Sequence, residues 1–159
     1  MTILRAITLI LTLVTGGLVA GLFAAFSYAV MPALDRTGPS TAIVAMQRIN
    51  VVIVNPVFLA IFIGGLVFAI AGTVLTWRDD LRWWVLAAAV LYVVAFLVTG
   101  MANVPLNDRL AHAGTIEPVA AQQVWSEYVV PWVRWNTLRA VLHTASVAVL
   151  AAGLVLTRG

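Results

Sequence analysis

The chain has no cysteine, no lysine and only six acidic residues among 159. Without cysteine there can be no disulfide, no thiolate-held iron–sulfur cluster, no thiol nucleophile and no palmitoylation, and the redox compartment is left unmarked. The nine basic residues are all arginine, and none forms a run long enough to grip a phosphate backbone. Nucleic acid is therefore not an expected partner. The pI near 10.2 reflects the shortage of acids rather than a polybasic surface. GxGxxG, the P-loop, HExxH, GxSxG and any Cys/His cluster are also missing, which removes the motif-borne nucleotide, zinc and serine-hydrolase chemistries. The two histidines, His112 and His143, lie in separate segments, so no metal site is expected. Asp108 and His112 are a weak pair in a loop, and a single axial haem ligand from His143 is the one cofactor reading left open.

What is present is apolar. Hydrophobic residues make up 63% of the chain and charged ones 9%, against about a quarter in a soluble domain. Mean hydropathy is +1.05. The expected fold class is all-α: an integral membrane four-helix bundle, with two short amphipathic helices in the long connections on one side. Residues 1–159 read as one transmembrane domain with spans at about 3–31, 56–77, 82–103 and 132–157. Each reaches the roughly 20 residues that cross a bilayer. The first is too long for the h-region of a cleaved signal peptide. Met31-Pro32 is expected to end it, Pro105 to end the third, and Pro131 to separate a short helix over 119–130 from the fourth. Ser40 or Thr41 is expected to cap an amphipathic helix over 41–55. The connection 110–118 reads as a polar loop holding His112 and Glu117, and the RDDLR turn at Arg78–Arg82 as a solvated hairpin rather than an acid pair.

The plain side of the layout holds Arg5, Arg78, Arg82 and Arg158, and the elaborated side Arg36, Arg48, Arg109 and Arg134. Four against four barely engages the positive-inside rule. The plain side, with both termini, is taken as cytoplasmic, in a bacterial cytoplasmic membrane. Gly16, Gly17 and Gly21 offer a close-packing face through which copies of the chain could associate as a homo-oligomer.

The chemistry gathers in Trp125–His143. Helical spacing puts Trp132, Asn136, Arg139 and His143 on one face. Ionisable groups in a membrane helix mark function by default. The plain alternative is an interfacial belt of Trp125, Tyr128, Trp132 and Trp135, with Arg139 snorkelling to the headgroups. Tyr92, Phe96, Thr99 and Asn103 form a second inward face. With the polar face of the fourth span and Asn50, Asn55 and Asn107 they suggest an apolar pocket open on the elaborated side, suited to an aromatic small molecule bearing oxygens. Arg139 is the candidate to hold developing negative charge and His143 the candidate base. Asn50, Asn103, Asn107, Trp125, Tyr128, Trp132 and Asn136 are the candidate binding residues.

The runs GLFAAFSYAVMPAL, MQRIN followed by Asn55-Pro56, NVPLND at Asn103–Asp108, and W-x-x-Y-x-x-x-W-x-x-W-N-x-x-R from Trp125 to Arg139 resemble a bacterial family of four-span membrane proteins that carries the name anthrone oxygenase. The resemblance covers nearly the whole chain. It implies oxidation of anthrones to anthraquinones without metal or flavin, because the substrate carbanion itself reacts with oxygen. It also implies a pocket formed by Asn103, Asn107, Trp125, Tyr128, Trp132, Asn136 and Arg139. His143 belongs to none of these motifs. If the chain is an enzyme, it is expected to be a cofactor-independent oxygenase. The alternative is a non-catalytic membrane module that binds or passes a hydrophobic molecule, or assembles with a partner.

Overall fold

The structure, a computed structural model, describes residues 2–114 and 117–157, without the side chain of Pro118. Arg158 and part of the expected 110–118 loop lie outside the described residues. Five helices account for nearly everything else: α1 (Ile3–Asp35), α2 (Pro39–Val52), α3 (Pro56–Leu75), α4 (Arg82–His112) and α5 (Pro118–Leu156). Four of them, α1, α3, α4 and α5, are long and apolar enough to cross a membrane. The protein is an all-helical integral membrane bundle. The four pack in a ring, α1 on α3, α3 on α4, α4 on α5 and α5 on α1, while α2 leans on α5 outside that ring.

The prolines do not end the helices as expected. Pro32 and Pro105 sit inside α1 and α4, and each follows a π turn, Phe26–Val30 and Thr99–Asn103. A proline in a helix lacks an N–H, and its ring collides with the carbonyl four residues back. That carbonyl belongs to Tyr28 in one helix and Met101 in the other, and both lie within the π turns. There the ladder widens to i−5, with Met31 N bonding Phe26 O and Val104 N bonding Thr99 O. The wider turn removes the collision and lets each helix run on. α4 therefore continues to His112, taking in the first three residues of the expected 110–118 loop. The expected short helix and the fourth span are likewise one 39-residue helix with Pro131 inside it.

Caps set the remaining boundaries. α2 starts at Pro39 behind Gly38, whose φ of +91° suits glycine, and not at a Ser40 or Thr41 cap. Asn55 caps α3 by accepting from the backbone N–H groups of Val57 and Phe58, each at 3.0 Å, with Pro56 in the first turn. Hydroxyls buried in the apolar helices donate to carbonyls one turn back, as Thr8, Thr12 and Thr15 do.

At 1.5 Å per residue α5 is roughly 58 Å long and α1 roughly 50 Å, against a hydrocarbon core of about 30 Å. The excess gathers at the end that also holds α2. There Met31, Ile43, Met46, Leu110, Trp125, Tyr128 and Trp132 close into a core of their own. The opposite end is trimmed. Arg5 pairs with Asp79 in the α3–α4 turn, and Trp77 and Trp83 are exposed at the rim.

Candidate functional site

Three polar clamps hold the thick end together. The Trp125 indole donates to Asp35 at 2.7 Å. Gln47 donates to the carbonyls of Leu110 and Gly114, tying α2 to the end of α4. Asn107 Oδ1 accepts from both Tyr128 Oη at 3.0 Å and Trp132 Nε1 at 2.7 Å, tying α4 to α5. Trp125, Tyr128 and Trp132 are 2%, 4% and 3% exposed. The aromatic-belt reading therefore fails for these three, and only Trp135 is substantially exposed.

Below this cap lies Arg139, 6% exposed and turned inward rather than toward the headgroups. It stands roughly 26 Å from the Leu156 end of α5, close to the middle of that helix. Its Nε and Nη2 both donate to Asn136 Oδ1, at 3.1 and 2.9 Å. The guanidinium carbon lies 3.9 Å from the centre of the Phe23 ring and 5.6 Å from that of Trp132. Cation–π contacts of this kind contribute up to about 2 kcal/mol each when desolvated. The one carboxylate–arginine pair among the described residues is Arg5–Asp79, so Arg139 is held without an acid. Asn136 is anchored in turn: its Nδ2 donates to Phe23 O and to Ser27 Oγ, both at 2.7 Å. Both partners lie beside the π turn of α1.

Arg139 forms part of the wall of a cavity of about 110 Å³ between α1, the α2–α3 junction and the π turn of α4. Asn50, Asn103, Asn107 and Thr99 supply its other polar groups, and Phe23, Phe26, Ile49, Ile53, Phe58 and Trp132 much of its apolar wall. Two buried amide atoms on this wall have no partner among the described residues: Asn50 Nδ2, a donor, and Asn103 Oδ1, an acceptor. Asn103 Nδ2 donates to Trp132 O at 3.2 Å. Nη1 of Arg139 has only a long 3.4 Å contact with Thr99 Oγ1, whose own hydroxyl donates to Ala95 O. A buried donor, a buried acceptor and a cationic edge thus remain available on one apolar cavity.

Of the residues singled out by sequence, Arg139, Asn50, Asn103, Asn107 and Trp132 line this cavity. Trp125, Tyr128 and Asn136 stand behind it. His143 is fully buried one turn further along α5, ringed by Tyr92, Phe23 and Phe62 at centroid distances of 4.5, 5.6 and 6.2 Å. Neither of its ring nitrogens has a partner among the described residues, and it does not line the cavity. His112 Nδ1 lies 2.7 Å from Asp108 O, a backbone contact. No three His, Asp or Glu side chains gather into a metal-binding group among the described residues. Sequence reasoning placed Thr99 on the inward face but missed Phe23 and Ser27 as parts of the Arg139 site. These two share a face of α1 near its exit, which was the available signal.

The family model for anthrone oxygenase matches residues 44–149, two thirds of the chain. The chain belongs to the anthrone oxygenase family. No curated protein and no solved structure matches it. The stretch shared with the anthrone oxygenase family runs from within α2 through most of α5 and includes Asn50, Asn103, Asn107, Trp132, Asn136 and Arg139. Phe23 and Ser27, which complete the Arg139 site in this anthrone oxygenase family member, lie on α1 outside the matched stretch.

Proposed function

We propose that this membrane protein is an oxygenase that converts a lipophilic, anthrone-type aromatic to the corresponding quinone in the cavity beside Arg139. One observation carries the reading: a buried arginine with no carboxylate partner presents a free edge to an apolar cavity. Loss of a proton from the substrate's ring methylene gives an enolate, whose charge rests on the ring oxygen. Arg139 Nη1 donates to that oxygen and stabilises it within a largely apolar wall. The enolate carbon passes its electron pair to dioxygen and, with a proton, becomes a hydroperoxide. Loss of water then forms the second carbonyl. One oxygen atom ends in the quinone and the other in water, so no further reductant is required. Phe23, Phe26 and Trp132 supply flat apolar surface for the rings. His143 has no place in this reading, because it does not reach the cavity; the proton leaves to solvent.

A second reading, a module that binds or passes a hydrophobic molecule without reaction, is favoured by one feature. The cavity wall carries neither carboxylate nor imidazole to take the proton. Oxygen uptake by detergent-solubilised protein given an anthrone separates the two. Uptake above the spontaneous rate is expected for the native protein. In Arg139→Ala it is expected to fall by about a hundredfold or more, the usual cost of losing an oxyanion donor. An unchanged rate in a folded Arg139→Ala variant would remove Arg139 from the mechanism. A ligand retained without any oxygen consumption would establish the binding module instead.

A further inference from the structure

An arginine buried at a helix–helix junction ordinarily takes a carboxylate across its Nε–Nη2 edge, because that fork matches the two oxygens and cancels the charge. Here the same edge is held by a single amide oxygen, Asn136 Oδ1. The amide cannot turn over, since its Nδ2 is committed to Phe23 O and Ser27 Oγ. The faces of the guanidinium are covered by Phe23 and approached by Trp132. Only Nη1 is left toward the cavity, at 3.4 Å from Thr99 Oγ1. We infer that Asn136 is a positioning residue that fixes the guanidinium with a neutral acceptor, so that the full charge of Arg139 remains available at Nη1 for an oxyanion in the cavity. Its type is thus set by charge as well as shape: aspartate would keep the fork and cancel the cation. The inference rests on the oxyanion-binding role of Arg139 proposed above.

The probe is 2-hydroxyanthraquinone, a phenol of the proposed ligand class that changes colour when it ionises. Bound beside an unneutralised Arg139, it should ionise at lower pH than in empty detergent micelles. In Asn136→Asp the bound probe's apparent pKa should rise by about one unit or more, equal to at least a tenfold loss of preference for the phenolate. Asn136→Leu keeps the branched outline of the side chain at a larger volume, adds no charge and releases the fork, so its value should fall between native and Asn136→Asp. This order, read with helix content unchanged, is not what simple loss of packing would produce, since packing loss would treat both variants alike. Equal probe ionisation in native protein and Asn136→Leu overturns the positioning role. Ionisation in Asn136→Asp as easy as in Asn136→Leu overturns the importance of the neutral anchor. Should Asn136→Asp fail to fold, the comparison of native protein with Asn136→Leu still decides the positioning role. A native protein that leaves the probe un-ionised removes the oxyanion site itself, and this inference with it.

Discussion

Asn107 holds two donors on one oxygen, and that asymmetry makes it the most testable side chain outside the Arg139 site. Tyr128→Phe removes one donor and leaves Asn107 bonded to Trp132, a loss of about 0.5–1.5 kcal/mol. Asn107→Leu strands a phenol and an indole N–H in an apolar cluster, and each stranded donor costs about 1–3 kcal/mol. Thermal unfolding in detergent should therefore show Asn107→Leu as clearly the worse of the two. In the Tyr128→Phe background the same change should cost less, since only one donor is then stranded. Equal losses for the two single variants would mean that the phenol bond is not formed in solution. The importance of Asn107 was readable in NVPLND, but its partners were not. Spacing places Asn107 at the end of a span without saying which indole faces it across the bundle. The same holds for Arg139. Its inward direction follows from the W-x-x-x-N-x-x-R register, while its coverage by Phe23 depends on how α1 is rotated, and α1 carries no polar motif that fixes its rotation.

At the scale of elements, periodicity and apolar length located all four spans, and prolines misplaced three boundaries. A proline signals a broken ladder, yet whether a helix ends there depends on whether the preceding turn can widen. Nothing in FSYAV or TGMAN announces that, because a π turn is a choice of hydrogen-bond partner rather than of residue type. The two π turns carry Ser27, Thr99 and Asn103, which stand around Arg139 and Asn136. A further close fit sits lower in the bundle, where α3 meets α4. Tyr92 Oη donates to Phe62 O at 2.9 Å, and the space for that hydroxyl exists because residue 65 is glycine. A Cβ on Gly65 would overlap the hydroxyl, and would also lie 2.8 Å from Tyr92 Cζ and 3.0 Å from Thr15 Oγ1. Gly65→Ala should destabilise by about 1–3 kcal/mol, the usual cost of overpacking a core. The added change Tyr92→Phe takes away the nearest overlapping atom but leaves the ring carbon Cζ at 2.8 Å, so Gly65→Ala should cost less, but not nothing, in that background. A melting-temperature cycle over the two sites checks this. Additive losses would show that the helices simply move apart.

For the whole molecule, the two ends differ in thickness, so the two membrane faces of the bundle can be told apart. One end is a short turn, Trp77–Arg82, pinned to α1 by Arg5–Asp79. The other carries α2, the extended ends of α1, α4 and α5, and a packed core rich in Trp, Met and Tyr. The cavity lies between that core and the spanning bundle, with the half-buried to exposed apolar residues Ile53, Val54 and Val104 on its wall. Under the proposed oxygenase reading, this apolar rim is the path by which a lipophilic substrate would reach Arg139. The natural absence of cysteine makes this arrangement easy to test, because a single introduced thiol is then the one labelled site. Thr37, between α1 and α2, and Asp80, between α3 and α4, are both exposed. They are separated by the full length of the bundle. In sealed right-side-out vesicles a membrane-impermeant maleimide should label one of Thr37→Cys and Asp80→Cys at once, and the other only after the membrane is opened. Labelling of both from the same side would contradict a four-span crossing. With the plain side taken as cytoplasmic, as in the reading of the sequence, Thr37→Cys is the variant expected to react first. The reverse order would place the cavity, and whatever enters it, toward the cytoplasm.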